Sequence, residues 1–369
     1  MSVGRLPSLF VALAVLSLLA CGSPRPQSTG AAGAPSGAAP AAAPSASAPG
    51  APPSAAPTAQ DLGSVVVGRA AARATVAPLW IAQELGYFQK YGLSVEETLM
   101  RSNSAIEAGM LSNELQFGFS GIASALSSRA SGGETEWAGG YLDKAIGEME
   151  VRPDIQQPSD LRGRRVGVQS IGGTIHLRAL LTVQKLGLDP EHDVQYVVAG
   201  DDPTLAQSLV AGAIDAAPIS PTSAAVARAN GMHGWDLSDL NVPESSVSVL
   251  VTKTYAREHP EQVEAFIKGI AEGVAFLKQG QTDPAKRARS LQIVAERLRV
   301  PEEKVAPELD KIAQLARADL APDMEIMREY RDMVAHLTPA VEQIPLDDVI
   351  DTSFIDKLKR EGFFDSLNP

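Results

Sequence analysis

A chain of 369 residues, 44% hydrophobic and 5% aromatic, is long enough for one large or two ordinary domains and has the apolar content of a globular protein. Its formal charge of −12 disfavours nucleic acid as a partner, because phosphate neutralisation needs a concentrated Lys/Arg surface. A single cysteine, Cys21, excludes an intramolecular disulfide framework and any multi-thiolate metal site.

Residues 1–20 open with a short positive start at Arg5 and continue as an apolar run too short for a membrane span, the pattern of an export signal. The run ends in "LSLLAC", which resembles the bacterial lipobox and predicts that Cys21 is lipidated and becomes the first residue of the mature protein. The competing reading is an ordinary signal peptide with an unrelated cysteine. Acyl chains gain about 0.8 kcal/mol per buried methylene, so several on one cysteine would hold the chain at a membrane face without spanning it. Gly22 stands where many lipoproteins kept at the inner membrane carry Asp, which points to the outer membrane in a cell with two. The rest of 21–60 is almost wholly Gly, Ala, Pro and Ser. It cannot bury a core and reads as a disordered linker, and a coil of about 40 residues reaches roughly 35 Å.

From Leu62 short apolar strands alternate with amphipathic helices. "SVVVGRA" reads as a strand, "PLWIAQELGYFQKYG" as a helix closed by Gly92, "LSVEETLM" as a strand, "SAIEAGMLSN" as a helix and "LQFGF" as a strand. After a break at "RPDIQQPSDLRG" the rhythm resumes with strands at "RRVGVQS", "DVQYVVAG" and "AIDAAPI". Helices follow each of them, at "GGTIHLRALLTVQKLG", "PTLAQSLVAG" and "SPTSAAVARANG", and "SSVSVLVTK" adds one more strand. Such βαβα order implies two α/β units with mostly parallel sheets covered on both faces. From Pro260 the chain reads as helical, with Val263, Phe266, Ile267, Ile270, Val274 and Leu277 forming the stripe of a helix packed on a sheet. The later helical segments are expected to cover the first unit and form a tail. A short echo between "GMLSNELQFGFSG" and "SLVAGAIDAAPIS" puts Ser120 and Ser220 at equivalent strand exits.

"APLWIAQELGYFQKYGLSVE", "LRGRRVGVQSIGGTIH", "LVAGAIDAA" and "FIKGIAEGVAFL" occur in the order found in the nitrate-, taurine- and aliphatic-sulfonate-binding proteins of ABC importers. Over about 65–280 the chain resembles that group, which includes thiamine-pyrimidine-synthase-like proteins. The resemblance implies an α/β periplasmic-binding-protein type II architecture: two lobes of mixed sheets covered by helices, with a helical C-terminal tail. Lobe 1 would comprise 61–150 and 252–369, and lobe 2 would comprise 151–251. It further implies a small-molecule ligand in the cleft, an ABC importer permease as partner, and a monomer at the periplasm or cell surface, tethered to the membrane by its lipid. Enzymes in the group consume their own histidine beside a cysteine cluster, or use a cysteine nucleophile. The only cysteine here belongs to the lipobox, so no catalytic residue, cofactor or metal is expected. The alternatives are an exported small-molecule sensor or surface-interaction protein and, less favoured, a thiamine-pyrimidine-synthesis enzyme.

"GVQSIGGTIH" lacks the G-x-G-x-x-G spacing of a dinucleotide loop, the Lys of a P-loop and the G-x-S-x-G of a hydrolase. What remains is a helix N-terminus, where free N–H groups favour an anionic or carbonyl oxygen, or else a plain tight turn. Gly172 and Gly173 would admit a ligand to the backbone, with Ser170 and Thr174 as hydroxyl donors. On the first lobe the candidates are Thr75, Pro78 in the first helical turn, Trp80 as cleft wall or core anchor, and Ser120 with Gly121. On the second, Ser220 precedes Pro221, and helix capping competes with ligand contact for both serines. His176 lines the cleft or packs under its helix; a lone histidine makes a poor metal site. Asp201 and Asp202 read as capping residues. The few cations near these loops, Arg69, Arg73, Arg101 and Lys144, leave the ligand open among anionic or heteroaromatic solutes such as a sulfonate, nitrate or a pyrimidine precursor.

Overall fold

The computed structural model describes residues 60–70, 73–245 and 247–368. The expected export signal, the lipidated Cys21 and all of the 21–60 linker but its last residue lie outside the described residues.

The first part of the chain forms β1 (Gly63–Arg69), α1 (Ala77–Glu84), α2 (Tyr87–Lys90), β2 (Leu93–Leu99), α3 (Asn103–Leu111), β3 (Phe117–Ser120), α4 (Ile122–Ala130) and β4 (Thr135–Gly140). The second forms β5 (Glu148–Val151), β6 (Arg165–Val168), α5 (Thr174–Lys185), β7 (Gln195–Val198), α6 (Asp202–Val210), β8 (Ala216–Ile219), α7 (Pro221–Ala229) and β9 (His233–Asp236). The chain then returns through β10 (Ser248–Thr252) and finishes in α8 (Lys253–Glu258), α9 (Pro260–Gln279), α10 (Pro284–Leu298), α11 (Glu302–Leu315), α12 (Met324–Leu337), α13 (Ser353–Arg360) and α14 (Phe363–Ser366).

Two five-stranded mixed sheets result, ordered β2-β1-β3-β10-β4 and β7-β6-β8-β5-β9. Each has a parallel triplet, β2-β1-β3 or β7-β6-β8, and an inserted antiparallel strand, β10 or β5. The inserted strand is in each case the first one formed after the backbone has passed over from the other sheet, a passage it makes twice. Sheet membership moves those crossings ahead of the expected boundaries at 151 and 252. They fall between Gly140 and Glu148 and between Asp236 and Ser248.

The expected helix over 78–92 is broken in two: Gly86 takes φ +74°, a left-handed conformation that ends α1 and restarts the chain as α2. Three strands were not anticipated. β4 carries two glycines, and β5 and β9 are each four residues long and contain charged side chains, so none shows a clear apolar alternation.

α9 buries the expected stripe, Val263, Phe266, Ile267, Ile270, Val274 and Leu277, and packs on α1 with α10 beside it. The expectation that the later helices cover only the first unit does not hold. α11 touches both α9 and α7, and α12 touches both α4 and α5, so these helices lie across elements of the two sheets.

Candidate functional site

In both sheets the parallel strands end where the next helix begins, and those ends meet around a cavity of about 800 Å³. A volume of that size is within the range of small-molecule sites. From the first sheet it is lined by Arg69 and Ala70 at the exit of β1, by Arg73–Val76, by Asn103 and by Phe119. From the second sheet come Gln169, Thr174 and Ile175, then Asp201–Pro203, and Ser220, Thr222 and Ser223. α10 and α11 close a third side with Leu298, Val300, Lys304, Val305 and Glu308.

The first wall is held by a half-buried charge cluster. Arg69 grips Glu97 of β2 in a two-pronged pair, Nε to Oε2 at 2.9 Å and Nη2 to Oε1 at 3.1 Å, and lies 5.4 Å from the Trp80 ring centroid. Trp80 Nε1 donates to Glu97 Oε2 at 2.9 Å, and Arg297 approaches Oε1 at 3.2 Å. Burial works to raise the Glu97 carboxyl, but the hydrogen bonds from Arg69 and Trp80 and the charges of Arg69 and Arg297 hold it below its ordinary range.

Three helix starts reach the cavity from the second sheet, each with a different cap. α5 begins at Thr174 after Gly173, and no side chain caps it. At α6, Asp201 accepts from Thr204 N–H at 3.2 Å. At α7, Ser220 is the N-cap, and Asp202 reaches over from α6 to accept from Ser220 N–H at 2.8 Å, from Ser220 Oγ at 2.6 Å and from the Ser223 hydroxyl. Behind them Arg178 and Glu244 form a buried pair at 2.8 Å.

Of the residues singled out in the sequence, Thr75, Thr174 and Ser220 line this cavity. The others stand elsewhere. Trp80 is fully buried as a core anchor, and Pro78 is buried in the first turn of α1. Ser120 ends β3, buried, with its hydroxyl 2.8 Å from that of Ser124, and Gly121 is the N-cap of α4. Ser170 and Gly173 belong to the turn after β6, and Gly172, at φ +80°, borders a separate groove along α3 and α4. His176 is buried, accepts from Gly172 N–H through Nδ1 at 3.0 Å and meets the Tyr196 ring edge-on; burial lowers its pKa. Among the described residues no group of three or more metal-ligating side chains occurs.

The sequence reading missed Glu308 altogether and took Asp202 for a cap of its own helix. Arg69 and Arg73 had been noted only as scarce cations. Glu308 had no signal of its own, because it lies in a charge-rich helix far along the chain from the other walls.

The pattern of the family described as NMT1/THI5 like matches residues 73–283. No curated protein matches the chain in sequence. Among solved structures, the periplasmic aliphatic sulphonate binding protein SsuA from Escherichia coli is similar, with a TM-score of 0.64 at 17% identity over 78% of this chain and 92% of that one. A putative sulfonate ABC transporter's periplasmic sulfonate-binding protein SsuA from Methylobacillus flagellatus KT gives 0.64 at 17% identity, over 82% and 96%. A mutant of the enzyme DSZB in complex with biphenyl-2-sulfinic acid gives 0.57 at 19% identity, over 81% and 99%. At these identities the likeness is one of fold, and the fold is that of the periplasmic binding proteins, two mixed sheets under helices with a helical C-terminal region.

Proposed function

The chain belongs to the NMT1/THI5 like family, and on that premise we propose that it is an extracytoplasmic solute receptor that hands one small organic solute to an ABC importer. The observation that carries this reading is the cavity of about 800 Å³ lined from both sheets. A solute held there contacts both halves only when they are together. It therefore binds the closed arrangement better and shifts the population toward it, which gives a permease something to recognise. The halves that close are, in this reading, the two lobes expected from the sequence, with boundaries adjusted to sheet membership.

The uncapped start of α5 with Thr174 offers N–H and hydroxyl donors to an acceptor oxygen of the solute. A micromolar dissociation constant, about −8 kcal/mol, needs only a few such bonds plus apolar burial. The lipobox at Cys21 would tether this monomeric receptor to the membrane, with residues up to 60 as its leash.

Native mass spectrometry of the full chain, purified gently from the cells that make it, tests the reading. One small molecule per chain, retained several-fold less by Thr174→Val, is the expected result. An empty chain that instead turns over a substrate or holds a partner protein would overturn it.

A further inference from the structure

Resting on that receptor reading, we propose that His176 is a positioning residue for the solute: as a neutral ring it holds the turn at the start of α5 in place, and protonation releases the turn and with it the solute. The ground is geometric. Thr174 and Ile175 reach the cavity from the first turn of α5, and the segment from Ser170 to Gly173 sets where that helix begins. Two hydrogen bonds close the segment. Gly173 N–H reaches the Ser170 carbonyl at 3.3 Å, a long bond, and Gly172 N–H reaches His176 Nδ1 at 3.0 Å. His176 stands at the third position of α5, where the Glu or Gln of a capping box would reach back to the chain before the helix. Imidazole does so without a negative charge, so the uncapped helix start keeps its positive end for an oxygen of the solute.

Nδ1 accepts only while it is unprotonated. The imidazolium would turn an N–H toward the Gly172 N–H, and two donors would face each other. Nothing around the ring holds that charge. His176 is 6% exposed and meets the Tyr196 ring edge-on at 4.6 Å between centroids. Asp189 and Glu191 act on the Tyr196 hydroxyl and not on the imidazole. β8 has no titratable side chain, and Arg165 of β6 is bound to Asp215. Along α5, Arg178 is bound to Glu244 and Lys185 to Glu329 of α12, where Tyr330 is buried. At the start of α6, Asp201 is taken by Thr204, and Asp202 by Ser220 and Ser223. Burial alone acts on the imidazole and lowers its pKa, so the ring stays neutral to below the ordinary histidine value of 6.5.

Nuclear magnetic resonance of the full chain, labelled with 15N in histidine and glycine, tests this as pH is stepped from about 7.5 to about 4.5. Native mass spectrometry of the same samples reads the fraction of chains that keep the co-purified small molecule. The expected result is a His176 Nδ1 that is unprotonated at neutrality, a Gly172 amide that shifts with the His176 midpoint, and retention that falls about three- to tenfold across it, the scale of one hydrogen bond. His176→Asn, whose Oδ1 replaces the acceptor without titrating, should keep retention level over the same range. His176→Phe, which keeps a ring against Tyr196 and loses the acceptor, should retain as little at neutrality as wild type does in acid. A Gly172 amide indifferent to the His176 titration, or retention that falls equally in wild type and His176→Asn, would overturn the inference and leave the receptor reading standing. A chain empty at every pH would overturn both.

Discussion

Asp202 occupies the second position of one hydrogen-bonding problem and the first of another: it starts α6 in sequence and caps α7 in space. Three donors converge on its carboxylate, and they would be left buried and unsatisfied without it. Asp202→Ala should therefore destabilise the fold by about 1–3 kcal/mol, read as a lowered denaturation midpoint, whereas an exposed capping role confined to its own helix would cost less. Glu97 gives a second prediction with a pH signature. Its folded carboxyl lies below the ordinary range, so its stabilisation is complete above the ordinary carboxylate value and fades as pH falls through the folded one. Glu97→Gln should cost about 1.5–3 kcal/mol near neutrality, the scale of hydrogen bonds to a charged group, and the difference from wild type should shrink below about pH 4. A gap that stays constant down to strong acid would refute it. The same residues show what sequence discloses at this scale. Thr174 was legible because a glycine pair followed by a hydroxyl residue after an apolar strand marks a helix start. Glu308 was not, because nothing local distinguishes a carboxylate facing a cavity from the solvated ones around it.

Helices with apolar stripes were legible, and the closeness of their packing was not. α9 meets α1 through Gly273 and lies against Phe88 of α2 through Gly269: a Cβ at 273 would stand 2.2 Å from the Pro78 carbonyl oxygen, and one at 269 would stand 2.3 Å from Phe88 Cδ1. Phe88 is itself stacked on Phe266 at 5.3 Å between centroids, so it has little room to withdraw. Gly273→Ala should destabilise the protein by about 1–3 kcal/mol through overpacking, since the obstacle is backbone, although alanine has the higher helix propensity. Thermal unfolding of the variant checks this, and a stabilised variant would mean that the two helices separate more easily than their spacing indicates. Glycine contributes nothing to a hydrophobic stripe, which is why "GIAEG" read as an ordinary helical stretch. The unanticipated β4, β5 and β9 have the converse explanation: they are strands because antiparallel partners in their sheets pair them, with little local preference of their own.

At the scale of the whole molecule, α11 and α12 link elements of the two sheets. Lys311 on α11 pairs with Asp236 at the end of β9 at 2.8 Å, Glu329 on α12 pairs with Lys185 at the end of α5 at 2.7 Å, and Thr222 Oγ1 donates to the Lys304 carbonyl at 3.1 Å. α11 also packs on α9, and α12 on α4, so each helix is seated on the first half while it holds the second. Any opening of the cavity must part these contacts or carry the helices along. Partly exposed ion pairs are worth about 0.2–1 kcal/mol each, so removing both with Lys185→Ala and Lys311→Ala together should shift an open-closed equilibrium by up to about 2 kcal/mol, a factor of up to about 30 in population. Small-angle scattering on the solute-free double variant should show a larger radius of gyration than wild type, and solute should restore the compact form at higher concentration than wild type needs. Identical scattering for the two solute-free proteins would show that packing of α11 and α12, rather than their charges, sets the resting arrangement. The wall that holds Glu308 would then be part of a rigid frame, and the second sheet alone would move toward it.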